Sequence, residues 1–185
     1  MTLRPATPAD ADALADLIDA SIRGIGSRRY SEAQVESSLR HLFGVDTQMI
    51  EDGTYFVVED GGRIVGAGGW SRRRTPFGGD RPGAVRDAAA RDPARDPAVL
   101  RAFYVHPEWA RRGIGRRLIR ASEAAAWAAG FRRAELVSTL TGLDLYRSAG
   151  YRETEPVAIP LPDGVTIEAV RMEKALAVSA SGAPV

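Results

Sequence analysis

A mixed α/β (α+β) fold, built on a mostly antiparallel central sheet that contains one parallel strand pair and is flanked by helices, follows from three features of the sequence. TYFVVED (54–60) and RIVGAGGW (63–70) are β-branched and aromatic runs parted by Gly61-Gly62, which is the spacing of an antiparallel hairpin. VLRAFYVHP (99–107), a helix-forming stretch and RRAELVSTL (132–140) follow one another over about 40 residues, which suits a right-handed crossover between parallel strands. Residues 151–160 and 165–174 pair around Asp163-Gly164, a hairpin-turn dipeptide.

Each element has its own signal. Residues 2–5 form a short strand, after which Thr7-Pro8-Ala9-Asp10 supplies an N-cap, a proline at the first helical position and an acid at the third, so a helix runs to about Ile22. Ser31-Glu32-Ala33-Gln34 is a capping box with Tyr30 and Val35 placed as a hydrophobic staple, opening a second helix to about Phe43. Between Ser71 and Ala98 the chain has four prolines and no apolar periodicity, so it reads as a long loop with one helical turn near 84–90. His106-Pro107 ends the next strand, and the helix in ARRGIGRRLIRASEAAAWAAG (110–130) stops at Gly130, a natural C′ residue. LDLYRSAG (143–150) is a short helix closed by Gly150, and 175–185 reads as a disordered tail.

With 185 residues, 44% of them apolar and 26% charged, the sequence predicts a single globular domain over 1–174. No apolar run reaches the roughly 20 residues of a membrane span, and the N-terminal segment has no secretory pattern, so the expectation is a cytoplasmic protein without a membrane partner. All 25 basic residues but Lys174 are arginine, yet 24 acids offset them; a net charge of +1 provides no global field for nucleic acid, and any anion site must be local. The absence of cysteine excludes thiolate nucleophiles and cysteine zinc sites, and His41 and His106 are too few for a histidine-built centre, so no metal is expected. No G-x-S-x-G elbow or Walker loop is present.

The informative stretch opens the long helix. A helix N-terminus has up to four unpaired N–H groups and about half a positive charge, and so attracts phosphate. Gly113 and Gly115 let a diphosphate approach the backbone, and Arg111, Arg112, Arg116 and Arg117 can add charge-assisted hydrogen bonds. A dinucleotide fingerprint is the competing reading: Glu135 falls about 20 residues on, but Leu118 stands in place of the third glycine, and Pro107-Glu108-Trp109-Ala110 separates the glycines from the strand.

The run LRAFYVHPEWARRGIGRRLIRASEAAAWAAGFRRAEL, followed by LYRSAGY, resembles the GNAT acetyltransferase superfamily across both of its cofactor-binding motifs, and the element order from 2 to 174 is similar too. The resemblance implies that the parallel pair is splayed and that acetyl-CoA is the cosubstrate. Its pyrophosphate would lie on Arg111, Arg112, Gly113, Ile114, Gly115 and Arg116, and its pantetheine along Phe103, Tyr104 and Val105. The family's Q/R-x-x-G-x-G/A loop has Ala110 at its first position here, and Thr141 stands where many relatives carry asparagine. A bulge in the first splayed strand would aim the N–H of Phe103 or Tyr104 at the thioester oxygen, and Tyr146 would protonate the departing thiolate. Glu59 is the candidate base.

The implied activity is N-acetyl transfer, direct and sequential, to a primary amine of a small molecule or peptide. A CoA-binding regulatory module without turnover and an arginine-mediated nucleic-acid binder are the alternatives. The acceptor would enter beside SIRGIGSRRYSEAQ (21–34) and the 71–98 segment, both rich in arginine, which suits a substrate that bears an anion as well as its amine, although solvated charge explains the same composition. A homodimer through the terminal strands stays open.

Overall fold

The computed structural model describes residues 1–75, 77, 79–81, 87 and 89–177. Its strands are β1 (Thr2–Pro5), β2 (Tyr55–Asp60), β3 (Arg63–Ser71), β4 (Ala98–Val105), β5 (Arg133–Thr139), β6 (Arg152–Pro160) and β7 (Thr166–Ala175). The helices are α1 (Ala11–Ser21), α2 (Glu32–His41), α3 (Thr47–Glu51), α4 (Ile114–Ala128) and α5 (Leu143–Ser148). Among the described residues the strands form one sheet in the order β1-β2-β3-β4-β5-β7-β6, with β4 against β5 as the parallel pair.

Period-two alternation divides the core between the faces of this sheet. Val57 packs with Leu14, Leu17 and Ile18 of α1 and with Val35 and Leu39 of α2, whereas its neighbour Val58 packs with Val65, Ile114 and Leu118 under α4. The same alternation breaks in β4. Arg101 reaches Met49 on the α1–α2 face, and the next residue, Ala102, packs on that face as well. Opposite them the register passes from Ala67–Tyr104 to Gly69–Arg101, so Ala102 and Phe103 together face Gly68 alone. This is a β-bulge, and Ala102 sits in it at φ 60°, a left-handed conformation that costs an alanine free energy.

Two buried polar interactions hold the bulge. The Tyr55 hydroxyl, in the core, donates to the Ala102 carbonyl at 2.9 Å. Arg101 pairs with Asp46 at 2.8 Å, both side chains being almost fully buried, and Asp46 Oδ1 also accepts the Met49 N–H at 3.1 Å as the N-cap of α3.

The capping box is present as expected, with Ser31 Oγ accepting from the Gln34 N–H and Gln34 Oε1 from the Ser31 N–H. Other expectations change. The first helix stops at Ser21 and continues as a π-helical segment, Ile22–Gly26, and the second ends at His41 rather than Phe43. α3 was not foreseen, because five residues are too few to show a helical period.

The 71–98 segment folds back on itself at its base: Arg73 and Ala90 form a bridge, and the Arg91 N–H donates to the Arg72 carbonyl at 2.7 Å. The helical turn expected near 84–90 falls largely on 84–86 and 88, outside the described residues. The expected tail begins too early at 175, since β7 includes Ala175 and the buried Leu176 donates its N–H to the Arg132 carbonyl at 2.9 Å; residues 178–185 lie outside the described residues.

Asp46→Ala takes the carboxylate from a buried guanidinium and should lower unfolding free energy by about 3–5 kcal/mol in urea titrations, whereas Asp46→Ala/Arg101→Met should regain most of that loss.

Candidate active site

β4 and β5 pair only at their first residues, Ala98 opposite Ala134 and Val99 opposite Glu135. Beyond Val99 each strand follows its other neighbour, β4 with β3 as far as Val105 and β5 with β7 as far as Thr139. The bulge lies where they part. Between them opens a cleft of about 840 Å³, lined by Phe103, Tyr104, Val105, Val137 and Thr139 from the strands and by Tyr146 from α5.

The N-terminus of α4 stands at the rim of this cleft, with Arg111, Gly113, Ile114, Gly115 and Arg116 on its surface. No side chain caps the helix, and among the described residues the N–H groups from Arg112 to Arg116 find no protein acceptor; the first helical bond is the Arg117 N–H to the Gly113 carbonyl at 3.0 Å. A buried helix end would need such partners, so this one is built for solvent or an anion.

The two glycines serve different ends. Gly113 adopts φ 81° with nothing near a built Cβ, so its backbone conformation is the requirement. At Gly115 a Cβ would come within 2.8 Å of Leu145 Cδ2, so this glycine lets α5 pack onto α4 rather than clearing a path for a ligand. That packing seats Tyr146. Arg111 shares the left-handed conformation at φ 66°, and Arg112 points elsewhere, over the Trp109 ring at 5.8 Å and outside the cleft lining.

Tyr146 is buried and held edge-on by Phe103 and Tyr151, with ring centroids 6.0 and 5.9 Å away. Its hydroxyl has no protein hydrogen-bond partner among the described residues, and burial pushes its phenol well above the ordinary range, so it is a proton donor across neutral pH. Thr141 reaches the cleft with its hydroxyl 3.1 Å from that of Thr139.

Glu59 does not reach the cleft. Its carboxylate accepts from Arg4 Nη2 at 2.6 Å while the same guanidinium holds Asp10 at 2.8 Å, an arrangement that ties β1, β2 and the entry to α1 together. The base role expected of Glu59 therefore has no geometric support. Among the described residues, Asp144 is the one carboxylate lining the cleft, and it is 82% exposed and bonded to Arg147. Residues 76, 78, 82–86, 88 and 178–185 contain no aspartate, glutamate or histidine.

Several lining residues were not singled out in the sequence. Tyr30, read there as a staple and as part of the acceptor-side stretch 21–34, accepts the Leu140 N–H at 2.8 Å through its hydroxyl and donates to the Glu168 carbonyl at 2.6 Å. Ser21 Oγ accepts the Val105 N–H at 3.3 Å, and Phe43 stacks edge-on with Tyr104 at 6.3 Å. No local pattern announces these partners, which are distant in sequence.

Residues 51–153 match the family model described as acetyltransferase (GNAT) domain, more than half of the chain. The chain belongs to the GNAT superfamily. Solved structures share the fold of this GNAT acetyltransferase. A GCN5-related N-acetyltransferase from Rhodopseudomonas palustris is 23% identical with a TM-score of 0.70, covering 95% of each chain. A phosphinothricin acetyltransferase from Sinorhizobium meliloti, in complex with AcCoA, is 21% identical with a TM-score of 0.62, covering all of this chain and 92% of the other. A ribosomal-protein-alanine N-acetyltransferase from Brucella melitensis is 20% identical with a TM-score of 0.62, covering 95% of this chain and 100% of the other. No curated protein matches the GNAT chain by sequence. No helix among the described residues is long and apolar enough to cross a membrane, and no cluster of three or more metal-ligating side chains occurs among them.

Replacing Tyr30 by Phe removes both bonds that join the α1–α2 connection to β5 and β7. Urea unfolding should show a loss of about 1–2 kcal/mol, and the Leu140 amide should exchange its proton faster.

Proposed function

We propose that this chain transfers the acetyl group of acetyl-CoA directly to a primary amine of a small molecule or peptide. The observation that carries the reading is the uncapped N-terminus of α4, with its unpartnered N–H groups and Arg111 and Arg116, at the rim of a gap between two diverging strands. The diphosphate fits the helix end, because the backbone from Arg112 to Arg116 offers donors at a positive dipole. The pantetheine arm fits the gap, where it would bond to backbone groups as an added strand does.

The thioester then lies near the bulge, beside Phe103 and Tyr104. As the amine attacks the carbonyl carbon, a bulge N–H stabilises the oxyanion, the C–S bond breaks, and the Tyr146 hydroxyl donates to the leaving thiolate. A phenol of ordinary pKa about 10 transfers its proton to a thiolate of about 8.5 uphill by roughly 2 kcal/mol, and burial increases that difference, so Tyr146 acts chiefly as a hydrogen-bond donor. The amine's proton leaves through water, since the cleft presents no buried carboxylate or imidazole among the described residues. The same lack favours a second reading, CoA binding without turnover, and thiol release from acetyl-CoA in the presence of amines decides between them.

Gly113→Glu puts a carboxylate and a strained backbone at the helix end; calorimetry should show CoA affinity lowered by about tenfold or more, with Gly113→Ala in between. Tyr146→Phe should reduce kcat by about 10–100-fold and leave the acetyl-CoA KM nearly unchanged. Because burial raises the phenol pKa, the folded enzyme keeps the donor form above the ordinary pKa of about 10, and kcat should not fall on the alkaline side before that point.

A further inference from the structure

Resting on that reading, the structure assigns a class of acceptor: we infer that the amine substrate also carries an oxyanion, a carboxylate or a phosphate, held by Arg28 and Arg29. The segment that bears them crosses the cleft between two fixed points. At one end Gly24 lies so close to Pro107 that a Cβ would collide with its ring, and at the other the Tyr30 hydroxyl is bonded to the Leu140 N–H and the Glu168 carbonyl. The turn between is closed by its own backbone, with the Arg28 N–H donating to Ile25, the Arg29 N–H to Gly26 and the Tyr30 N–H also to Gly26, at 3.0–3.2 Å. The backbone at Arg28 and Arg29 is therefore fixed, and both exposed side chains line the cleft.

Among the described residues neither guanidinium has an ion-pair partner, although Arg23, a few residues earlier, is paired with Asp19 and Glu36. Among the described residues, the lining contributed by the α1–α2 connection, α2, Phe43 and Phe77 contains no carboxylate, and Asp144 belongs to α5. An ammonium or polyamine entering on this side meets two positive charges, with the exposed Asp144 on α5 as the one carboxylate in the lining among the described residues. An oxyanion meets two guanidiniums, each able to give charge-assisted hydrogen bonds.

The test compares primary amines of similar size and basicity that carry a neutral amide, a carboxylate or a phosphonate, together with a polyamine and a peptide N-terminus free of acidic side chains. Wild type and Arg28→Gln/Arg29→Gln are assayed side by side, and calorimetry of the CoA-loaded protein measures binding of amine-free succinate and inorganic phosphate. The expected result is a kcat/KM about tenfold or more higher for the anionic amines than for the neutral one, lost in the double variant through acceptor KM with acetyl-CoA KM unchanged. Carboxylate and phosphonate arms identify which anion is preferred.

Preference for the neutral amine, the polyamine or the peptide overturns the inference, and so does a double variant that weakens acetyl-CoA instead, which would place these arginines on the cosubstrate. If no amine is acetylated but succinate or phosphate binds the wild type and not the double variant, the anion site stands and the transferase reading fails. If neither turnover nor anion binding occurs, both fail.

Discussion

The parting of β4 from β5 after Val99 is the constraint on which the site depends. Two parallel strands in register would bond along their whole length and leave no cleft. Here the extra residue at Ala102–Phe103 shifts the register of β4 against β3, and the strand that should have continued beside β5 follows its other neighbour. An alanine at φ 60° does not hold such a shape alone. The Tyr55 hydroxyl and the Arg101–Asp46 pair fix it from beneath, and both interactions are buried, where each is lost at high cost.

Charge is arranged on the same plan. Acids and arginines nearly balance over the chain, so no long-range field draws a ligand in. The balance is uneven locally: Asp46, Glu59 and Asp10 are committed to structural guanidiniums, while the lining of the cleft holds Arg28, Arg29, Arg111 and Arg116 against the exposed Asp144. Acids are spent on rigidity and arginines are left facing the gap, so the local potential is positive within a nearly neutral molecule.

The helices reach the site through close approaches. Gly115 admits Leu145, which brings α5 against α4 and sets Tyr146 over Phe103. Tyr30 carries the α1–α2 connection across to Leu140 and Glu168, joining the two sides of the sheet that the gap divides. Ser21 does the same on the β4 side through the Val105 N–H. A cleft opened by strand divergence is thus stitched at its edges by side-chain hydrogen bonds.

Much of this was written locally in the chain. The hairpin at Gly61-Gly62, the capping box at Ser31 and Gln34, the strand–helix–strand crossover and the glycine-led turn into α4 each rest on a few consecutive residues, so period, caps and turn chemistry determined them before any tertiary contact existed. The roles of Gly115, Tyr30, Arg101 and Glu59 were decided only by the folded chain. Each depends on a partner tens of residues away, or on packing between helices, and no local pattern encodes which distant group a buried side chain will meet. Glu59 shows the point most plainly: beside a turn it looks available for catalysis, and the fold places Arg4 upon it.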